Sequence, residues 1–204
     1  MDERSESAMA LYDVFFGQWE NGGYKARRNF EQRGLDALPQ LLLGVILYIK
    51  GLSELRVSPA PNTKTPANQL MFGYLRPIFL VFSSWCSSGK TNAHQILTVL
   101  NSIINNTNYS SLRSVAILSI PHLFLQEDSR NIDSLKLALD QFKNDGNALI
   151  RASVLFAMDQ IIFQEVVMNN SIPDLTLRQR MEEAAKLIIF GILSEEWPLS
   201  SVLD

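Results

Sequence analysis

A short segment near the N-terminus combines positive charge with aromatic rings. Its members are the cations Lys25, Arg27, Arg28 and Arg33 and the aromatic residues Trp19, Tyr24 and Phe30. Arginine beside an aromatic ring can hold a phosphate and stack on a base, and the same residue types anchor protein interfaces. Segment 19–33 therefore predicts a surface for a protein partner, a nucleic acid or a phosphoinositide. The alternative is a solvated basic turn whose rings pack inward.

A second polar segment suggests phosphate chemistry. Residues 87–91 read Ser-Ser-Gly-Lys-Thr, and Gly-Lys-Thr would place a lysine on phosphates and a hydroxyl on magnesium. The phosphate-binding loop needs a glycine five residues before Gly89, where this chain has Ser84. It also follows a β-strand, whereas residues 78–85 have a helical pattern. We interpret 87–91 as an ordinary polar turn.

Histidine and cysteine are too scarce for a metal centre. His94 and His122 are the only histidines, and no local His-x-x-x-His pair accompanies them. Cys86 is the only cysteine, which excludes an intramolecular disulfide and a multi-cysteine site. His122 lies among apolar residues and is expected to be a partly buried structural side chain. No nucleophile elbow is present, so we expect no metal, no cofactor and no enzymatic activity, although a site assembled from distant residues stays open.

The composition predicts a folded chain without a strong charge preference. Of 204 residues, 47% are hydrophobic and 19% charged, which excludes a disordered chain. The net charge of −3 gives no global attraction to nucleic acid or anionic membranes. The acidic, polar N-terminus differs from a secretory signal, so we expect a cytoplasmic or nuclear protein. The carboxylates near the C-terminus are expected to face solvent; they are Glu182, Glu183, Glu195 and Glu196.

The middle of the chain contains an internal repeat. Residues 109–126 align without a gap on residues 147–164, at an offset of 38 residues. Leu112-Arg113 falls on Ile150-Arg151, and the apolar pattern that follows also recurs. Each copy comes after an amphipathic segment of its own. A period of this length is typical of stacked helix pairs, and residues 92–167 give the best-defined pairs.

At the repeated helices the sequence resembles HEAT and armadillo-type repeats. Their second helix commonly carries an arginine with an aspartate six residues before it, as Asp145 and Arg151 do here. In the first copy Thr107 stands where that aspartate would precede Arg113. The resemblance implies a right-handed solenoid of antiparallel helix pairs whose exposed face binds another protein. An irregular helical bundle is the alternative.

The remaining periodicity is also helical, so the whole chain 1–204 is predicted to be one all-α domain of roughly seven to nine helices. Helices are expected over 8–19, over the apolar segments 38–52 and 70–86, and after Pro173. Pro77 should kink or split the second apolar segment, and Thr176 with Gln179 should form a capping box. Residues 53–66, with three prolines, are expected to be an exposed loop.

These patterns together predict a non-enzymatic adaptor that mediates protein–protein interaction within a larger complex. The alternative is a nucleic-acid-associated helical protein that binds through segment 19–33. No membrane span is expected, because residues 38–52 are too few to cross a bilayer. The oligomeric state is left open.

Overall fold

The computed structural model describes residues 32–54, 65–89, 91–126 and 132–195, and these residues form helices without any strand. The all-α prediction is therefore confirmed. The predicted helix over 8–19 and most of the loop 53–66 lie outside the described residues, although Ser53 and Glu54 belong to the first helix below. The described α-helices are α1 (Leu38–Glu54), α2 (Ala67–Ser87), α3 (Ala93–Asn106), α4 (Ser110–Ser119), α5 (Ile132–Asp140), α6 (Ala148–Met168) and α7 (Leu175–Ser194).

Helix α4 lies at the centre of the fold. From Ser111 to Leu123 every residue is buried except Arg113, which is half-buried. The α-helix ends at Ser119, and a 3₁₀ turn, Ile120–Gln126, continues it through Pro121, which cannot supply an internal helical N–H. The predicted second helix of the first copy is thus divided near its proline, as its sequence indicated.

The two copies of the repeat lie side by side as α4 and α6. Asn147 Nδ2 donates to Ser110 Oγ at 2.7 Å, across a separation of 37 residues. Further along, Ser114 Oγ lies 2.6 Å from Ser153 Oγ, across 39 residues. Because the sequence separation of the contacting residues is nearly constant along the helices, α4 and α6 run parallel. Both contacts therefore lie within one residue of the 38-residue offset in the sequence.

Each of these helices has an antiparallel partner that precedes it in the chain. Helix α3 packs on α4, and α5 packs on α6. The apolar stripe predicted for α3 is buried at Ala93, Ile96, Leu100 and Ile104. On the other pair, Lys136 Nζ donates to both carboxylate oxygens of Glu165 at 3.1 Å.

Helix α7 joins the second copy to the first two helices. It runs antiparallel to α6, because Arg180 contacts Asp159 while Gly191 lies against Leu149 at the opposite end. It also packs on α1 and α2. Helices α4 and α6 therefore lie between their own partners and a second set formed by α1, α2 and α7. The predicted apolar face of α7 is confirmed as buried at Leu177, Met181, Ala184, Ala185, Ile188 and Ile192.

Helix α2 runs through Pro77 as one continuous helix, so of the predicted kink or split, the split does not occur. Proline removes the hydrogen bond to the carbonyl four residues earlier, and here that residue is the exposed Gly73, whose carbonyl can be solvated. Among the described helices, α2 is the one that is long and apolar enough to cross a membrane, and 44% of its most apolar window is buried within the fold.

Candidate interaction surface

The predicted basic–aromatic segment falls almost wholly outside the described part of the chain. Trp19, Tyr24, Lys25, Arg27 and Arg28 all precede residue 32. Arg33 is described: it is exposed and precedes the 3₁₀ turn Gly34–Ala37. The partner-binding role of segment 19–33 stays a prediction.

The two histidines differ in their burial. His94 is exposed on α3, whereas His122 is buried in the 3₁₀ turn after α4. Gly89 follows helix α2 directly, with φ of 67°, so the residues before it are helical as predicted. Among the described residues, no group of three His, Cys, Asp or Glu side chains could hold a metal ion.

His122 is a packing residue, as the sequence indicated. Its side chain is 6% exposed, and its ring centroid lies 6.0 Å from that of Phe79 on α2. The Nε2 atom is buried without a hydrogen-bond partner. Burial lowers the pKa of His122 to about 4, because the charged imidazolium would lose its hydration. The ring is therefore neutral at pH 7.

Arg113 and Asp145 form a polar contact between the two copies. Arg113 Nη2 lies 2.6 Å from Asp145 Oδ2, and its Nε donates to the Ile104 carbonyl at 3.0 Å. The other carboxylate oxygen accepts the backbone N–H of Asn147 at 2.8 Å. Asp145 is thus held from both sides, and it fixes the turn before α6 against α4.

A second ion pair attaches α7 to α6. Asp159 is 2% exposed, and its carboxylate accepts from Arg180 Nε at 3.0 Å and Nη2 at 2.7 Å. A buried carboxylate must be paired to offset the loss of hydration, and this two-point contact supplies the pairing. The sequence indicated neither residue, because they are 21 positions apart and on different helices.

Two glutamates that were expected to face solvent instead cap helices. Glu182 Oε2 accepts the N–H of Asn68 at 3.0 Å, at the start of α2. Glu195 accepts the N–H groups of Ser110 and Ser111 at 2.8 and 2.7 Å, at the start of α4. That part of the prediction is wrong, because α2 and α4 follow Pro66 and Tyr109, whose side chains do not cap them.

Other helix starts carry their own caps. Asn92 and Gln95 form a capping box on α3, and Asn147 caps α6. On α7 the cap is Asp174, whose carboxylate accepts the N–H of Leu177 at 2.6 Å. The capping box predicted at Thr176 and Gln179 is therefore wrong: α7 begins two residues earlier, and Asp174 alone is its N-cap.

The outer face of α7 exposes large apolar side chains. Leu187, Phe190 and Leu193 are 62%, 70% and 39% exposed. Their spacing of three residues keeps them on neighbouring turns of one face, opposite the residues that pack on α6. Lys186 and Glu183 lie beside them and form an ion pair at 2.8 Å. The sequence prediction missed these three residues: they lie outside the apolar period that predicted the buried face of α7, but by residue type they look like core residues.

A second group of exposed apolar residues lies at the other end of α7, where α6 ends and α7 begins. Met168, Ile172 and Leu175 are 63%, 86% and 70% exposed. Asn170 in this turn has a φ of 55°, a left-handed conformation that asparagine adopts more readily than most residues. The turn is separated from Phe190 by most of the length of α7.

The chain was compared with known proteins. No family model, no characterised protein and no solved structure matched it.

Proposed function

We propose that the protein is a non-enzymatic helical scaffold that binds a partner protein on the outer face of α7. The observation that carries the proposal is the exposure of Leu187 and Phe190, at 62% and 70%, on neighbouring turns of one helix. Apolar residues grouped on a surface and bordered by charges mark interaction sites more often than isolated ones do. The partner would bury these two side chains as anchors, with Lys186 and Glu183 at the rim.

Contacts on the other side of α7 hold this helix in place. Its inner face packs on α1, α2 and α6. Glu182 within the helix and Glu195 just after it cap two other helices. Because one side is held at several points, the opposite side keeps a fixed shape, which lowers the entropic cost of binding. An amphipathic helix laid along Leu187 and Phe190 would fit such a surface.

The titratable groups that lie between the helices support a scaffold over an enzyme. Asp159 is paired with Arg180, and His122 packs against Phe79. Asp145 uses both carboxylate oxygens to fix a turn. Each group stabilises a contact between helices. We extend the proposal to the stacking of the two helix pairs in the manner of HEAT or armadillo repeats, which the parallel α4 and α6 favour.

Affinity capture from the native lysate tests the proposal. The full chain would be compared with a Leu187→Asp/Phe190→Asp variant and with a matched control, Ile172→Asp/Leu175→Asp, which places two charges on the apolar turn at the other end of α7. Nuclease treatment separates protein partners from nucleic acid. We expect one stoichiometric protein that survives nuclease, disappears with the first variant and remains with the control. Recovery of that protein on both variants, or of nuclease-sensitive material alone, would overturn the proposal.

A further inference from the structure

Helix α6 carries an exposed stripe of its own. Leu155 and Ile162 are 44% and 38% exposed, Met158 between them is half-buried, and the Glu165 side chain is 29% exposed. A spacing of four, three, four and three residues keeps side chains on one face of a helix. It is also the spacing of apolar residues in coiled coils, where two helices pack along their length. The members of the stripe, in order, are Arg151, Leu155, Met158, Ile162 and Glu165.

The internal repeat shows what this face does in the first copy. The residues that correspond to Leu155 and Met158 are Ile117 on α4 and Ile120 in the 3₁₀ turn that follows it, and both are 0% exposed. Arg113, one turn before Ile117 on the same face, reaches Asp145 in the turn before the second copy. In the first copy this is therefore a packing face, and the turn before the second copy contacts it at Arg113.

In the second copy the same face lacks such a cover among the described residues. Arg151 corresponds to Arg113, but it is exposed and turns back on its own loop. Its Nη1 donates to the carbonyls of Asp145 and Gly146 at 2.7 and 2.9 Å. A guanidinium has five N–H donors, so this contact leaves Arg151 able to bind a carboxylate as well.

The order of residues makes the stripe complementary to itself. An antiparallel second α6, crossing near Met158, would set Arg151 opposite Glu165 and Leu155 opposite Ile162. The pairing occurs twice, because a two-fold axis exchanges the two helices. Glu165 already accepts from Lys136, but a carboxylate has about four acceptor sites and can take a second cation.

We propose that the α6 stripe is a self-association surface, through which two copies of the chain pair as an antiparallel, two-fold symmetric dimer. The charge complementarity of the stripe's two ends singles out a second copy from other helical partners. One helix pair buries less than about 1,200 Å², which is the size class of weak complexes. The dimer should therefore form reversibly and depend on protein concentration. It uses a different helix from the proposed partner-binding face of α7.

Two charge-reversal variants of the full chain provide the decisive test. Arg151→Glu sets glutamate against glutamate at both ends of its own homodimer, and Glu165→Arg sets arginine against arginine. In a one-to-one mixture of the two variants, both ends become attractive again. The readout is the mass in sedimentation equilibrium, with 23.0 kDa expected for the monomer and twice that mass for the dimer.

We expect the wild-type chain to dimerise, each variant alone to dissociate at least about tenfold more readily, and the mixture to recover wild-type affinity. A wild-type chain that stays monomeric at high concentration would overturn the proposal. So would variants that dimerise as the wild type does, or a mixture that fails to recover affinity.

Cysteine cross-linking keeps the proposal testable if a charge-reversal variant does not fold. In a Cys86→Ser background, Met158→Cys places one thiol at the crossing point of each helix. Mild oxidation should link two chains covalently, while Leu187→Cys, on the exposed face of α7, should link far fewer. Equal linking at both positions, or none at Met158→Cys, contradicts the antiparallel dimer. Either result leaves the partner-binding proposal for α7 untouched, because that proposal is tested by capture.

Discussion

Arg113 Nη2 lies 2.6 Å from Asp145 Oδ2, across the boundary between the two copies of the repeat. Burial alone would raise the pKa of Asp145. The hydrogen bond from the Asn147 N–H and the nearby Arg113 and Arg151 guanidinium groups outweigh it, so the pKa lies below its usual value. The ionised carboxylate is thus part of the folded state, and it stabilises the junction of the copies at neutral pH.

Replacing Asp145 should weaken this junction. Asp145→Asn removes the charge and leaves an amide of similar shape, so we expect the free energy of unfolding to fall by about 1–2 kcal/mol at pH 7. Urea denaturation measures it. Asp140→Asn is the matched control, because Asp140 pairs with Lys143 while 46% of its side chain is exposed, and it should change little. Equal losses in the two variants would show that the Arg113–Asp145 contact contributes no more to stability than an exposed ion pair.

Glu195, which follows α7, should stabilise helix α4 by capping its first turn. Glu195→Ala removes the acceptor for two N–H groups at the start of α4, and we expect a loss of about 1–2 kcal/mol in thermal or urea unfolding. Glu183→Ala removes an equal charge whose side chain is 71% exposed and should change stability by less than about 0.5 kcal/mol. A Glu195→Ala variant as stable as Glu183→Ala would rule out the capping role.

His122 should make the fold sensitive to mild acid. Its pKa in the folded state, about 4, lies below the ordinary value of 6.5, so the unfolded chain binds a proton first as the pH falls. Stability is full above pH 6.5 and is lost between 6.5 and 4, by up to about 3 kcal/mol from this residue. Unfolding of wild type and His122→Phe would be compared across this range. Parallel pH curves for the two proteins would contradict the assignment.

Two glycines in helices should respond in opposite ways to an added methyl group. A Cβ at Gly73 would meet nothing within 4 Å, so Gly73→Ala should stabilise α2 by about 0.5–1 kcal/mol. At Gly191 it would lie 3.0 Å from Leu149 Cδ1 and 3.3 Å from Leu149 Cβ, which cannot rotate away. Gly191→Ala should therefore cost about 1 kcal/mol. Equal melting temperatures would mean that α7 does not approach α6 this closely.

Much of the fold could be predicted from the sequence, because its main signal is local periodicity. The apolar stripes of residues 92–167 predicted the helix pairs α3–α4 and α5–α6, and the apolar period of α7 identified its buried face. The caps on α2 and α4 could not be predicted in this way, because the capping residues are far away in the sequence. Glu182 lies 114 residues from the N–H that it caps on α2, and Glu195 lies 85 residues from the first N–H that it caps on α4. A glutamate on an exposed face and a glutamate that caps a distant helix look alike in a sequence.

The candidate surfaces were predictable only in part. The basic residues of segment 19–33 stood out by type, whereas Leu187 and Phe190 look like ordinary core residues in the sequence. What distinguishes them is the direction in which α7 packs, and that direction is set by contacts with α1, α2 and α6. Exposure of an apolar side chain is a property of tertiary packing, so composition cannot reveal it.

The central structural claim, that the two copies stack in parallel as α4 and α6, can be tested with one engineered disulfide. In a Cys86→Ser background, Ser114→Cys/Ser153→Cys replaces two oxygens that lie 2.6 Å apart, near enough for a disulfide of about 2.05 Å to form. The shifted pair Ser111→Cys/Ser153→Cys moves one thiol about 4.5 Å along α4. After oxidative refolding, peptide mapping should find the disulfide in the first pair and not in the second. Its absence from the first pair, or equal yields in both, would contradict the parallel stack.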